Sequence, residues 1–231
     1  ILSNLDIENQ KAGARVEVDP EKRNPHDFAL WIKAPENHIM KWESPWGLSY
    51  PGWHIECSAM SRKYLGKTID IHAGGADLIF PHHENEIAQS ECANGCKFVN
   101  YWLHNGFVTI NKEKMSKSLG NFLTIDDMLK NYDANTLRLF ILTNHYRMPV
   151  EFSDEALTAA QAGAKRLTNA KQTPINENLD ITTTDEYKAF VDAMDDDLNT
   201  SKALAVLFDL ATRANKGEAD AYTILYKLGS T

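Results

Sequence analysis

Thr68-Ile69-Asp70-Ile71-His72-Ala73-Gly74-Gly75-Ala76-Asp77, then Phe80-Pro81-His82-His83-Glu84-Asn85-Glu86, then Phe98-Val99-Asn100-Tyr101-Trp102-Leu103, decide the fold. Residues 68–72 are a β-rich run stopped by paired glycines, the pattern of a strand and its turn. Residues 81–93 read as a helix. Pro81 suits its first turn, where a missing N–H does no harm. Gly95 is placed to end it in the left-handed conformation. Residues 98–103 read as the next strand. Strand, glycine turn, helix, strand is the βαβ unit of a parallel sheet, so the chain is expected to be α/β. Ligands of such sheets bind beyond the carboxyl ends of the strands, where Gly74, Gly75 and Asp77 fall.

The helix carries possible metal ligands. His82 and Glu86 are four apart, which puts both side chains on one helical face. Cys57, in Gly52-Trp53-His54-Ile55-Glu56-Cys57-Ser58, would arrive from another element. Cys, His and Glu together suit zinc, and a thiolate argues against calcium or magnesium. Three protein ligands leave a fourth position open or filled from elsewhere. The plain alternative is a buried thiol beside two residues of a polar helix. Cys92 and Cys96 flank Asn94-Gly95. With no second pair at finger spacing, they read as two thiols around a helix-ending turn.

Downstream lies Lys114-Met115-Ser116-Lys117-Ser118, followed by Leu119-Gly120. Two lysines on a loop of small hydroxyl residues can close over a triphosphate and offset charge on leaving pyrophosphate. A lysine-rich loop can equally be solvated surface.

The remainder reads as support. The chain has 231 residues and a net charge of −8, so no overall basic field points to nucleic acid, although a local surface could. No run of about 18 apolar residues marks a membrane span, and no signal peptide opens the chain. Three cysteines do not make a disulfide framework, which implies a reducing cytoplasm. Residues 1–50 are turn-rich, and Trp31, Trp42 and Trp46 are expected to pin their loops onto a core. After Ser118 the chain turns helical. Thr124-Ile125-Asp126-Asp127 resembles a capping box, and Ser153-Asp154-Glu155 opens a helix running to about Lys171. Leu137, Phe140, Ile141 and Asn144 form one helical stripe. Leu204, Leu207, Phe208 and Ala211 form another, read as bundle core. Residues 173–184, with Pro174, read as a linker. Asp195-Asp196-Asp197 reads as a solvated acidic turn capping the helix after it, not as a magnesium site.

Together these motifs carry a resemblance. Lys-Met-Ser-Lys-Ser resembles the signature loop of class I aminoacyl-tRNA synthetases. The segments around Cys57 and His82 are similar to the zinc-binding segments of the cysteinyl-tRNA synthetase family. Met194-Asp195-Asp196-Asp197-Leu198-Asn199-Thr200 resembles the start of that family's helical anticodon-side domain. The agreement runs from about Ala12 onward.

The resemblance implies the second half of a class I Rossmann-like nucleotide-binding domain, followed by α-helical stem-contact and helical-bundle segments. The expected divisions are 1–123 for the catalytic half, 124–172 for the stem-contact region, 173–184 for the linker and 185–231 for the start of the helical domain. It implies a cytoplasmic, monomeric cysteine–tRNA ligase, which joins cysteine and ATP into cysteinyl-adenylate and passes the cysteinyl group to tRNA(Cys). One Zn2+ per chain, held by Cys57, His82 and Glu86, would bind the substrate thiol, and ATP would act with Mg2+. Trp53 corresponds to a residue lining the amino-acid pocket. Lys117 corresponds to the ATP contact, with Lys114 its partner in catalysis. Gly74, Gly75 and Asp77 correspond to a segment near adenosine and amino acid. The family's His-x-Gly-His segment and further zinc-ligand cysteine have no counterpart here. The 231 residues alone are therefore expected not to form adenylate. Two other readings stand beside this one: a cysteine ligase acting on an amino sugar, and a non-catalytic tRNA-binding module.

Overall fold

The computed structural model describes residues 2–4, 22–110, 112–115, 120 and 122–230. They fall into two compact units that divide between His104 and Asn105. Ser116, Lys117 and Ser118, and residues 5–21, lie outside the described residues.

The first unit opens with β1 (Trp31–Lys33) and β2 (Ser49–Pro51), an antiparallel pair with Ile32 opposite Tyr50. Trp42 bridges to Ser49. Trp31, Trp42 and Trp46 do not pin these loops to a core: they are 41%, 47% and 71% exposed. Helix α1 (Trp53–Leu65) follows, then β3 (Ile69–Gly75), α2 (Glu84–Asn94) and β4 (Val99–Asn105). β3 and β4 lie side by side, with the Ile69 N–H donating to the Phe98 carbonyl at 2.9 Å. This is the expected strand, helix, strand unit. Its glycines are the last residues of the strand rather than a turn beyond it. Gly95 does end α2 in the left-handed conformation (φ 67°), its N–H donating to the Glu91 carbonyl. α2 begins three residues later than expected. Ile79–His83 form a π-type turn interrupted at Phe80, whose backbone is extended at φ −133° and ψ 132°. The apolar core here is small: Ile69, Phe98 and Val99, with Ile87 and Trp102 against them.

In the second unit, β5 (Val108–Ile110) pairs antiparallel with β6 (Glu113–Lys114) and parallel with β7 (Val150–Glu151). The rest is helical: α3 (Ile125–Leu129), α4 (Ala134–Leu142), α5 (Asp154–Thr168), α6 (Asp185–Asp195), α7 (Thr200–Asn215) and α8 (Ala221–Gly229). The expected caps form. Thr124 accepts from the Asp127 N–H and Ser153 from the Ala156 N–H, each satisfying a donor that the helix start leaves over. On α4, Leu139 and Phe140 are buried while Ile141 is 48% exposed, so the stripe sits one residue away from its expected line. Phe140, Val150, Leu157 and Ala160 form one cluster. Leu207, Leu210, Ala211, Ala214, Ile224, Leu225 and Leu228 anchor a larger one. Segment 173–184 is not free of structure. Leu179 and Ile181 pack on this larger cluster, and the Asn176 N–H donates to Thr223 Oγ1. Asp195–Asp197 do not cap α7. Asn199 does, its Oδ1 accepting from the Lys202 N–H, whereas Asp196 reaches the Lys202 ammonium and not a backbone donor.

Candidate metal centre

Polar side chains fasten α1 to α2. Gln89 Nε2 donates to Ser58 Oγ at 2.6 Å and also to the His54 carbonyl, and the Ser90 hydroxyl donates to Ser58 Oγ at 2.9 Å. Cys57 precedes Ser58, so this seam carries the thiol to the start of α2. There Cys57, His82 and Glu86 each offer a ligand atom, all within 4.8 Å of one another. The three expected ligands thus meet, one from α1, one from the turn before α2 and one from its first turn.

Glu86 is completely buried, yet neither carboxylate oxygen has a hydrogen-bond donor among the described residues. Its Oε1 stands 2.6 Å from His82 Nε2, and its Oε2 stands 3.4 Å from His72 Nε2. Buried carboxylates without partners are costly and call for explanation. A cation between facing lone pairs supplies one. His82 Nδ1 sits 2.7 Å from His54 Nδ1. With the proton of that contact on His82, its Nε2 keeps a lone pair toward Glu86. A metal-binding imidazole is commonly held in this way through its other nitrogen.

Sequence reasoning singled out only one of the histidines here. His72 on β3 and His83 in the turn join Glu86 as a second set of ligand atoms within 4.8 Å. His83 Nδ1 lies 2.8 Å from His104 Nε2 at the end of β4, and Trp102 stacks parallel to His104. The available signal was composition. Of eight histidines in the chain, five (His54, His72, His82, His83, His104) fall between residues 54 and 104. Gly74 makes room for this cluster, since a Cβ there would stand 2.8 Å from His83 Cε1.

Burial governs the protonation of the cluster. It lowers His54, and it lowers His82 with help from His54 and His72. It lowers His72 with help from His104, and takes His83 down to about 3. The imidazoles are therefore neutral at pH 7 and able to ligate. Burial also pushes Glu86 up to about 7, and raises Cys57, with the charges of Glu86 and Glu56 adding to it. A divalent cation would reverse both of the latter shifts by favouring carboxylate and thiolate. The orphaned carboxylate and the Cys–His–Glu donor set fit zinc.

Trp53 is 58% exposed at the start of α1 and lays its ring 4.1 Å from that of His82. Asp77 is exposed just past β3, its Oδ1 2.5 Å from where a Cβ on Gly75 would stand. Lys114 lies in the second unit on β6, its ammonium 4.3 Å above the Phe107 ring.

The family described as the tRNA synthetases class I (C) catalytic domain matches residues 1–162, and the DALR domain family matches residues 189–229. The cysteine–tRNA ligase of Pelobacter propionicus is 53% identical over 241 residues, covering 95% of this chain and 49% of its own length. That of Dehalococcoides mccartyi is 55% identical over 224 residues, with 95% and 49% covered. The chain spans about half the length of the curated relatives it matches. Among solved structures, the LeuRS of Agrobacterium radiobacter K84, in ternary complex with tRNA and LeuAMS, superposes with a TM-score of 0.52 at 14% identity. It covers 82% of this chain and 30% of the other, and the likeness is one of fold. On the strength of the catalytic-domain match, this chain belongs to the class I (C) tRNA synthetase family.

Proposed function

We propose that these residues form part of a cysteine–tRNA ligase, which activates cysteine with ATP and passes it to tRNA(Cys). The observation that carries the reading is the convergence of Cys57, His82 and Glu86 around a fully buried carboxylate that has no hydrogen-bond donor among the described residues. These three would hold one Zn2+ per chain, and bound zinc would take the substrate thiolate as a further ligand. Serine offers a harder and much less acidic group, so discrimination on the order of 10⁴-fold needs no editing step. His54 orients His82 through its Nδ1. Trp53, its ring tilted against that of His82 and open to solvent, covers the amino-acid side of the pocket. Gly74, Gly75 and Asp77 would face adenosine and amino acid at the strand end. Lys114 and Lys117 would neutralise the phosphates of ATP, which acts with Mg2+.

In this reading residues 1–123 belong to the catalytic half, 124–172 to a stem-contact region and 185–231 to the helical domain, with 173–184 between them. The protein is a monomer that works in the cytoplasm. The test uses the full-length gene product that contains these residues. Metal analysis should find about one zinc per chain. Cysteine should drive ATP–pyrophosphate exchange, with serine about 10⁴-fold weaker. Transfer of cysteine to an amino sugar and not to tRNA would overturn the reading, as would tRNA binding without exchange. The 231-residue chain alone should bind zinc without forming adenylate.

A further inference from the structure

In the second unit, two turns are fastened by a polar network outside the metal centre. One turn follows α4 and holds His145, Tyr146 and Arg147. The other joins α6 to α7 and holds Asp196, Asp197, Leu198 and Asn199. Asp197 accepts from Arg147 Nε at 2.5 Å, Arg147 Nη2 at 3.1 Å and the Tyr146 hydroxyl at 2.8 Å. His145 Nε2 stands 3.7 Å from the same carboxylate. Beside it, the Ser201 hydroxyl donates to the Thr143 carbonyl at 2.8 Å and the Thr200 hydroxyl to the Asn144 carbonyl at 3.3 Å. A bidentate guanidinium with a phenol on one carboxylate fixes both distance and angle between the two turns.

The backbone at this point is unusual. Asp197 and Leu198 are consecutive non-glycine residues in the left-handed region, at φ 57° and 55°. Side-chain-bearing residues adopt that conformation in succession only when surrounding contacts hold them there. Leu198 is 43% exposed, so apolar burial is a weak holder. Backbone bonds from the Leu198 N–H to the Met194 carbonyl (2.9 Å) and from the Asn199 N–H to the Ala193 carbonyl (3.0 Å) shape the turn from within, and Asp197 supplies its charged tie to the facing turn. The joint also bridges the two matched families. Tyr146 and Arg147 lie within the catalytic-domain match, 1–162, and Asp197 lies within the DALR match, 189–229.

We infer that Asp197 is a positioning residue: by binding Arg147 and Tyr146 it anchors the turn between α6 and α7 to the turn after α4, and so fixes the helical domain for tRNA charging. The inference rests on the ligase reading above. No residue assigned there to cysteine or ATP lies in either turn, so adenylate formation does not need the joint. Transfer to tRNA does, because a displaced remote contact can cost about 10²-fold in rate.

The experiment compares the full-length gene product with its Asp197→Asn and Tyr146→Phe variants. Asp197→Asn keeps an acceptor for one donor and loses the charge. Tyr146→Phe removes one donor and leaves the guanidinium pair, so it serves as the milder second probe. Cysteine-dependent ATP–pyrophosphate exchange should stay within about twofold in both. The KM for tRNA should rise about tenfold in Asp197→Asn and less in Tyr146→Phe. Leu198→Gly, placed in the Asp197→Asn background, should recover part of the loss by relaxing the backbone. Unchanged tRNA KM in Asp197→Asn overturns the inference, and so does a parallel fall in exchange, which would mark a general folding role. Absence of cysteine-dependent exchange in the parent protein overturns the ligase reading itself, and the inference with it.

Discussion

The two units solve the problem of polar side chains in opposite ways. In the first, a fully buried Glu86 is surrounded by neutral imidazoles and a protonated thiol, over an apolar core of little more than Ile69, Phe98 and Val99. In the second, charges sit at the surface in closed networks. Arg213 alone binds Glu186 at 2.5 Å and Glu218 at 2.5 Å, and stands 3.5 Å from Asp209. Beneath that network lies a full hydrocarbon core in which Leu210, Ala211 and Ala221 have no exposure. The difference teaches where each unit gets its stability. In the proposed reading a metal ion would complete the first, whereas the second rests on its own side chains.

Zinc removal should separate them most sharply. With free zinc held about a thousandfold above its dissociation constant, loss of the metal costs about 4 kcal/mol, all of it in the first unit. Hydrogen exchange should then accelerate in β3, α2 and β4 and stay unchanged in α7 and α8. Equal acceleration in both units would break the comparison. Cys57→Ala should reproduce the effect of chelation without a chelator.

The converse substitution is Leu210→Ala. Removing this unexposed side chain leaves a cavity among Leu207, Ile224 and Leu228, at a cost of about 3 kcal/mol. Urea unfolding should register the loss in the second unit, while zinc affinity stays as it was. A shift in zinc affinity would mean that the two units are more tightly coupled than their separate cores imply.

How much of this was legible in the sequence follows the same division. The strand, helix, strand order, the caps at Thr124 and Ser153 and the left-handed Gly95 are local. Each depends on a few neighbouring residues whose chemistry names its partner. The candidate trio Cys57, His82 and Glu86 was legible because His82 and Glu86 stand four apart on one helical face and both segments resemble known zinc-binding ones; the structure brings their ligand atoms within 4.8 Å of one another. His54, His72, His83 and His104 were not, because each gains its role only when β3, β4 and α1 bring their rings together. The tryptophans misled for a related reason, since an indole is read as buried unless the surface it covers is known. The α6–α7 turn misled because three successive aspartates look alike, while only Asp197 finds a guanidinium, and that partner lies 50 positions away.

Acidity offers a smaller test. In the zinc-free first unit, Glu86 titrates at about 7 when folded and near 4.5 when unfolded. The folded state then holds the extra proton, so stability falls as pH rises from about 4.5 through 7. His83 runs the other way. Its folded value of about 3 lies below 6.5, so stability is present above 6.5 and lost as pH falls toward 3. The two slopes cancel between about pH 4.5 and 6.5, so stability of the first unit should be level there, falling by about 2 kcal/mol as pH drops to 3 and by less than about 1 kcal/mol as pH rises from 6.5 to 7. Glu86→Gln should erase the fall on the alkaline side. In the second unit, Arg147 and Tyr146 hold Asp197 down to about 2, so its contribution is full above 3.8. That unit should be level from pH 5 to 9, as read by thermal unfolding at each pH.

The smallest effect bears on additivity. Ser153 caps α5 through one hydrogen bond to the Ala156 N–H at 3.2 Å, and Ser153→Ala should cost about 1 kcal/mol. For a protein of this size that lowers the melting temperature by about 2–4 °C. Among the described residues Ser153 bonds only in the first turn of α5, whereas Leu210 sits in the cluster that α5 reaches with Leu167 in its last turn. Their losses should add to within about 0.5 kcal/mol in the double variant. The same cycle in the first unit, His83→Ala with Glu86→Gln, should not add, because both residues belong to one set of facing lone pairs. Once Glu86 is gone, removing His83 takes away little more. Additive losses in both units would mean that the histidine cluster is a collection of separate contacts, and that the buried carboxylate is not what organises it.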